Sequence, residues 1–425
     1  MTKPLNNLDY SFRSNISLVL ILFIALFSSS FIFFKYPFEF YFHYLLILAL
    51  FPVFIFKNGI PKFLFILFSY LAIIGLINVV LVNNSLFNFV KVYGGLLVIS
   101  YFFYSLLFHY DFKISLFFYW YCKLCLILCF IGLFQFFSFI FNFKFGYDFS
   151  FLLNKWRVIE GGLMGIRVNS ILAEPSQLGI VLSPAVYVSV SNLVSKENYI
   201  LNKFQSLIVI FIVILTASTI AYAGLLFSIL LSTKTFRIRY LLIGILLSVG
   251  LFFISYKYVN EFKLRVDAAK ALWIENNFEI KNTNNSSFVL YNNLNVAIKN
   301  LSNYPLFGTG LGSHESAFKK YTLTKSLLNY NFEFNVKDGN SLFIRLCTET
   351  GLFGLFFIFY IIYYGFIYQR NDIDDSDHRF EIISHSLLII IILSLLRQGN
   401  YMLNGLPLIF LLYYYNGRTY KTLNE

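Results

Sequence analysis

Charge is what this chain of 425 residues has least of. Asp, Glu, Lys and Arg together make up 13%, where an average soluble domain carries about 25%. Hydrophobic residues make up 58%, and Phe alone numbers 54. A soluble globule could not hide that much apolar surface. The shortage of charge therefore excludes a soluble enzyme, a disordered chain and a nucleic-acid binder. It fits an all-α polytopic membrane protein. A β-barrel is excluded as well, because the apolar runs are continuous for roughly 18–25 residues whereas barrel strands alternate over roughly 10. The net charge of +12 reads as positive-inside loop charge, with no nucleic-acid partner.

Cysteine is scarce too. Cys122, Cys125 and Cys129 recur at near-helical spacing in one apolar run, with Cys347 far away. They read as small buried hydrophobes and not as a metal or redox site. No cleavable signal peptide is expected, since the run from Ile16 to Phe34 is long enough to span and lacks a small-residue cleavage site. No internal repeat stands out.

Apolar runs fall at 16–34, 38–56, 63–82, 86–108, 115–142, 171–194, 205–232, 240–257, 341–368, 381–398 and 402–416. The run 205–232 is expected to break into two short spans at the polar turn Thr216 to Thr219, each half about 20 Å long. The break keeps Lys234, Arg237 and Arg239 inside, alongside Lys196 and Lys203. The count becomes about twelve, with both termini cytoplasmic. Residues 1–257 then hold nine spans and an outer loop at 143–170. Residues 258–340 form a large extracytoplasmic loop, and 341–425 hold the last three spans and the cytoplasmic C-terminus. Within the large loop, Leu290, Leu294, Ala297, Ile298 and Leu301 predict an amphipathic helix over 288–303. Such a helix is expected to lie on the membrane surface and cap a cavity. It ends at Pro305, before Gly308, Gly310 and Gly312, which read as a loop turn.

An ionisable group at the bilayer centre costs roughly 2.5–3.5 kcal/mol, so each one needs an explanation. Lys91, Glu174, Arg345, Glu349 and Arg397 all fall toward the outer third of their spans. Arg345 and Glu349 share one helix face at i,i+4. Helix-end charges that snorkel or pair are one reading, and a polar cavity open to the outer leaflet is the other. Lys123 lies nearer the inner face and reads as structural. Pro175 suits the first position of a helix over 175–194, with Glu174 as its N-cap. The helix dipole favours a carboxylate there, which suits a partner for an arginine better than a base.

The stretch from Arg167 to Gly179, with its Arg and Glu-Pro, resembles the first-outer-loop motif of Wzy-type O-antigen and capsular polysaccharide polymerases. Asn303 to Gly312, and then Asn340 to Gly354, resemble the end of the large loop and the next helix in the O-antigen ligase and polymerase superfamily. Leu396 to Tyr401 is similar to the late Arg-Gly segment of the polymerases. The ligases carry a catalytic His where this chain has Asn340, and the nearest His is His314, which points to a polymerase. The resemblance implies a C-type glycosyltransferase-like fold and a polyprenyl-diphosphate-linked oligosaccharide substrate, without metal or cofactor. It implies the outer face of the bacterial inner membrane, with a chain-length regulator and a flippase as partners, and O-antigen, capsule or exopolysaccharide as product.

A diphosphate leaving group needs cations at the membrane–water boundary, and the guanidinium fork binds phosphate bidentately. Arg167, Arg345 and Arg397 are expected to bind it, with Glu174 orienting one of them. Lys91, and Arg167 and Arg265 from the loops, could reach the same phosphates. Glu174, Glu349 and His314 are the candidates for accepting the acceptor's proton. Trp156 and Tyr304 are candidates for stacking on sugars. Asp372, Asp374, Asp375 and Asp377 mimic the DxD of nucleotide-sugar transferases, but they lie in a short loop and read as solvated. Two alternatives stay open: an O-antigen ligase, and a flippase or other transporter of lipid-linked oligosaccharide.

Overall fold

A computed structural model of the chain describes residues 10–36, 38–162, 164–194, 198–232, 249–250, 253, 256–258, 260–275, 285–326, 334–368 and 375–425. The expected span 240–257 lies mostly outside the described residues. So do Lys196, Lys234, Arg237, Arg239, Asp372 and Asp374, and the side chains of Arg265, Asp375 and Asp377.

Helix α1 (Phe12–Phe27) starts at Ser11, whose hydroxyl caps the Ser14 amide. A hairpin of β1 (Ile32–Phe34) and β2 (Phe40–Tyr41) follows. Next come α2 (Phe42–Asn58), α3 (Lys62–Val80), α4 (Leu86–His109) and α5 (Ile114–Ile140). A single turn, α6 (Lys144–Tyr147), sits in the following loop. Then come α7 (Pro175–Val194), α8 (Lys203–Leu215) and α9 (Thr219–Leu231). The large loop holds α10 (Asn260–Trp273), α11 (Asn285–Asn303) and α12 (His314–Tyr321). The chain closes with α13 (Leu342–Glu349), α14 (Gly351–Gly365), α15 (Asp375–Arg397) and α16 (Leu406–Asn424).

Among the described residues, five helices are long and apolar enough to cross a bilayer: α3, α4, α5, α7 and the His378–Arg397 part of α15. Helices α1, α2, α8, α9 and α14 are apolar but shorter. Large apolar side chains face outward, with Phe56 91% and Val80 81% exposed, while Gln135, Asn169, Arg345 and Glu349 are buried. Polar inside and greasy outside is the arrangement of an α-helical protein embedded in lipid. Its centre is α7 and α15, which are mostly buried, and α3 lies at the rim.

The run 205–232 does break where its polar turn stands. Thr216 Oγ1 donates to the Val213 carbonyl and accepts the Ser218 amide, while Ala217 takes a left-handed φ of 45°. The chain also reverses. The Leu215 carbonyl accepts from Val168, just before α7, and Asn192 near the far end of α7 donates to the Leu201 carbonyl, so α8 is antiparallel to α7. On the return, Ala221 lies against Gly179 and Gly224 near Ser183, so α9 runs parallel to α7.

Three sequence expectations need correction here. The hairpin at 32–41 interrupts an apolar stretch read as two helical spans. Asn154 Oδ1 accepts the Ile32 amide, and Asn154 Nδ2 donates to the Ile32 carbonyl. An amide side chain from the 143–170 loop thus completes the strand. Helix α11 exists as expected, but Asn292, Asn293 and Asn300 share its buried side with Phe288, Val289, Val296 and Ala297, and Ile298 is exposed. The asparagines win because they pair with loop groups and with α13, so the buried side of α11 is partly polar and packs on α13. Trp156 is buried with its Nε1 on the Ser170 carbonyl, so it offers no face to a sugar. The cysteines are free and buried, and Lys123 donates to the Ile200 carbonyl, a structural role.

Candidate functional site

One end of the bundle collects the candidate residues. Gln135 of α5 bonds Asn169 just before α7, Gly95 of α4 lies against Met402, and Leu26 of α1 lies against Gly405. Tyr187 bonds His385, Ile180 and Val181 share a cavity wall with Ile390 and Ser394, and Arg397 feels the charge of Glu174, so α15 runs antiparallel to α7.

At this end the turn after α11 wedges into the break between α13 and α14. The Thr309 and Gly310 amides donate to the Thr348 and Glu349 carbonyls, and the Leu352 and Phe353 amides donate to the Pro305 and Leu306 carbonyls. The helix ladder that Thr350 interrupts is thereby restored by the loop. Gly308 sits at φ +62°, where a Cβ would lie 2.6 Å from the Glu349 carbonyl carbon, so only glycine fits. Two of the motifs singled out in the sequence are thus one structural unit.

The third motif joins it through Arg345. Its Nε donates to Glu349 Oε1 at 2.8 Å, its Nη1 donates to the Gly399 carbonyl at 2.9 Å, and its guanidinium lies 4.2 Å over the Tyr401 ring. Arg345 is 4% and Glu349 0% exposed. Glu349 Oε2 has no hydrogen-bond partner, and the Tyr401 hydroxyl lies within its electrostatic reach. A guanidinium held this way fixes the frame of the site.

Lys91 is half-buried on α4, with its Nζ 3.4 Å from Asn88 Oδ1, and it interacts electrostatically with Lys337, Glu315, Arg345 and Glu349. Asn88 Nδ2 donates to Glu315 Oε2, and Lys319 Nζ pairs with Glu315 Oε1 at 2.7 Å. Burial works to raise the Glu315 carboxyl, but hydrogen bonds from Lys319 and Asn88 and the nearby ammonium groups outweigh it and hold it below the usual range. Arg397 is partly exposed, donates from Nη1 to the Ser286 carbonyl at 3.2 Å and feels the charge of Glu174. Glu174 is exposed, accepts from Ser176 Oγ at 3.0 Å, and its carbonyl opens α7 by accepting from Leu178. Arg167 Nε donates to the Thr216 carbonyl at 3.2 Å. Asn340, at φ 57°, donates its amide to Asp338 Oδ1. Lys91 and Arg345 thus form one group, and Glu174 and Arg397 a second beside it.

No protein-family model matches this sequence, and no curated protein matches it.

His314 is fully buried. Its Nε2 bonds Asn293 Oδ1 at 2.9 Å and its Nδ1 bonds Thr348 Oγ1 at 3.1 Å. Asn293 spends its Nδ2 on the Val289 and Phe334 carbonyls, so its oxygen accepts and the ring carries its proton on Nε2. Burial first, and the Arg345 guanidinium second, push the ring's pKa down to about 3. The neutral ring therefore adds stability that is whole above about 6.5, its ordinary value, and is lost as pH falls toward the folded value. The midpoint of thermal unfolding should fall with pH below 6.5. His314→Gln should flatten the dependence by up to about 1.4 kcal/mol per pH unit. Parallel pH profiles for the two proteins would reject the assignment.

Sequence reasoning missed Tyr401, Asn293, Thr348, Glu315 and Lys337. A signal did exist for what holds the turn after α11 and the start of α12, in the asparagines just before and in the first turn of α4. Asn84 Nδ2 donates to the Leu311 carbonyl, Asn83 Oδ1 accepts from the Tyr304 hydroxyl, and Asn88 holds Glu315.

Proposed function

We propose that the protein is a polysaccharide polymerase that joins polyprenyl-diphosphate-linked oligosaccharide repeats at the outer face of the bacterial inner membrane, by glycosyl transfer without a metal. On this reading the chain crosses the bilayer about twelve times, both termini are cytoplasmic, and the end of the bundle holding Arg167, Arg345 and Arg397 faces outward. The observation that carries the reading is that Lys91, Arg167, Arg345 and Arg397, from four separate elements, stand at one end of the bundle, with Lys91, Arg345 and Arg397 beside α11, α12 and the turn between them.

The acceptor hydroxyl attacks the anomeric carbon, the bond to the diphosphate breaks, and the diphosphate leaves with the electron pair. Arg397 and Arg167 are partly exposed and offer guanidinium donors to the phosphates, with Lys91 as a point charge. Arg345 positions the segment that carries Arg397. Glu174 orients Arg397, and the acceptor's proton goes to the exposed Glu174 carboxylate, since Glu349, 0% exposed and paired with Arg345, is closed to a hydroxyl. Arg397→Ala should abolish long-chain polymer in cells lacking the wild-type copy, with normal protein in the membrane. Wild-type chain lengths in that variant would refute the assignment.

One observation favours ligase chemistry as a second reading. The His314 ring packs against Gly339, where a Cβ would lie 2.9 Å from its Nε2, so it reaches the neighbourhood of Asn340. Both its nitrogens are engaged and neither is open to a hydroxyl, which keeps the polymerase reading first. Glycan found on lipid A or protein, instead of on the lipid carrier, would reverse that order.

A further inference from the structure

The turn between α15 and α16 contains a knot of amides that nothing above uses. Asn404 has a left-handed backbone, with φ 51°, and is 4% exposed. Neither its Oδ1 nor its Nδ2 has a hydrogen-bond partner. Gln398 is 7% exposed, gives its Nε2 to the Leu403 carbonyl at 3.3 Å, and leaves Oε1 unpartnered. Both residues line one cavity, walled otherwise by apolar side chains such as Ile180 and Val181 of α7, Ile390 of α15 and Leu406 of α16. Ser394 also lines it, but its hydroxyl is already donated to the Ile390 carbonyl. The cavity has room for about one water molecule.

An unpaired buried polar group costs about 1–3 kcal/mol. Three such atoms belong to two residues that line one water-sized space. We propose that this cavity binds a single water molecule, which donates to Asn404 Oδ1 and Gln398 Oε1 and accepts from Asn404 Nδ2. The set of atoms decides the chemical class. A cation would face the Nδ2 hydrogens, an anion would face two carbonyl-type oxygens, and a lipid tail would leave all three atoms unpaired. Water alone satisfies two acceptors and one donor. It ties the end of α15 to the start of α16 and so fixes the segment between them. That segment supplies the Gly399 carbonyl and the Tyr401 ring to Arg345.

The test is a cryo-EM map of the full chain in a lipid nanodisc, resolved finely enough to show other internal waters. The expected result is one compact peak within about 2.7–3.2 Å of Asn404 and Gln398. An empty cavity, an elongated acyl-chain density, or a direct Asn404–Gln398 bond closing the space would each overturn the proposal. In Gln398→Met the peak should disappear, and its persistence unchanged would overturn the bridging role. Should that variant fail to fold, the wild-type map decides alone.

Discussion

Arg345→Ala should abolish polymer and lower the stability of the chain by about 3–5 kcal/mol, the usual cost of stripping one partner from a buried ion pair. The substitution leaves the Glu349 carboxylate, 0% exposed, with neither of its oxygens paired. It also frees the Gly399 carbonyl and uncovers the Tyr401 ring. Arg345→Lys keeps the charge but lacks the planar fork that reaches Glu349 and Gly399 at once, so it should recover only part of the loss. Replacing both members, Arg345→Met with Glu349→Leu, removes the stranded charge and should return most of the stability, as apolar substitutes for buried ion pairs commonly do. Polymer should stay absent in that double variant, because the site has lost its frame. Thermal unfolding in detergent and glycan chain length on gels read the two effects separately. An alanine variant as stable as the wild type would sink the account of the pair.

Gly399→Ala should be nearly as damaging through geometry alone. A Cβ there would sit 1.7 Å from the Asp338 carbonyl oxygen and 3.1 Å from the Asn340 amide. Both contacts are backbone, so the turn carrying Asp338 to Asn340 has to move bodily. A displacement of about 1 Å at a catalytic site commonly costs about a hundredfold in rate, and polymer yield should fall by that order. Gly94→Ala is the control, since a Cβ there meets nothing within 4 Å. Faster hydrogen exchange over 334–341 in Gly399→Ala, and not in Gly94→Ala, would locate the movement. Full-length polymer from Gly399→Ala would show that the turn is not part of the site.

What the sequence disclosed, and what it withheld, follows the range of the interactions involved. The start of α7 at Pro175, the break at Thr216–Ser218 and the existence of α11 rest on local chemistry: a fixed proline φ, hydroxyls that compete for backbone, an apolar period. Those were legible. The hairpin at 32–41 depends on Asn154, more than a hundred positions away, and local pattern cannot announce such a contact. The buried asparagines of α11 were misread for the same reason, because their partners Thr322, His314 and Thr348 belong to other elements. Around the candidate site, the pairing of Arg345 with Glu349 was one of two readings left open, and only their shared face followed from i,i+4 spacing. The docking of both on Gly399 and Tyr401, and the engagement of both His314 nitrogens, did not.

Helices α8 and α9 have 13 residues each, or about 20 Å of helix, against a hydrocarbon layer about 30 Å thick. A hydrophobic stretch shorter than the bilayer is commonly met by local thinning of the lipid around it. Thinning around α8 and α9 would fall next to the Thr216 carbonyl that receives Arg167. On the proposed function, thinner lipid there would bring a pyrophosphate carried on an isoprenoid tail toward Arg167 without drawing it out of its leaflet.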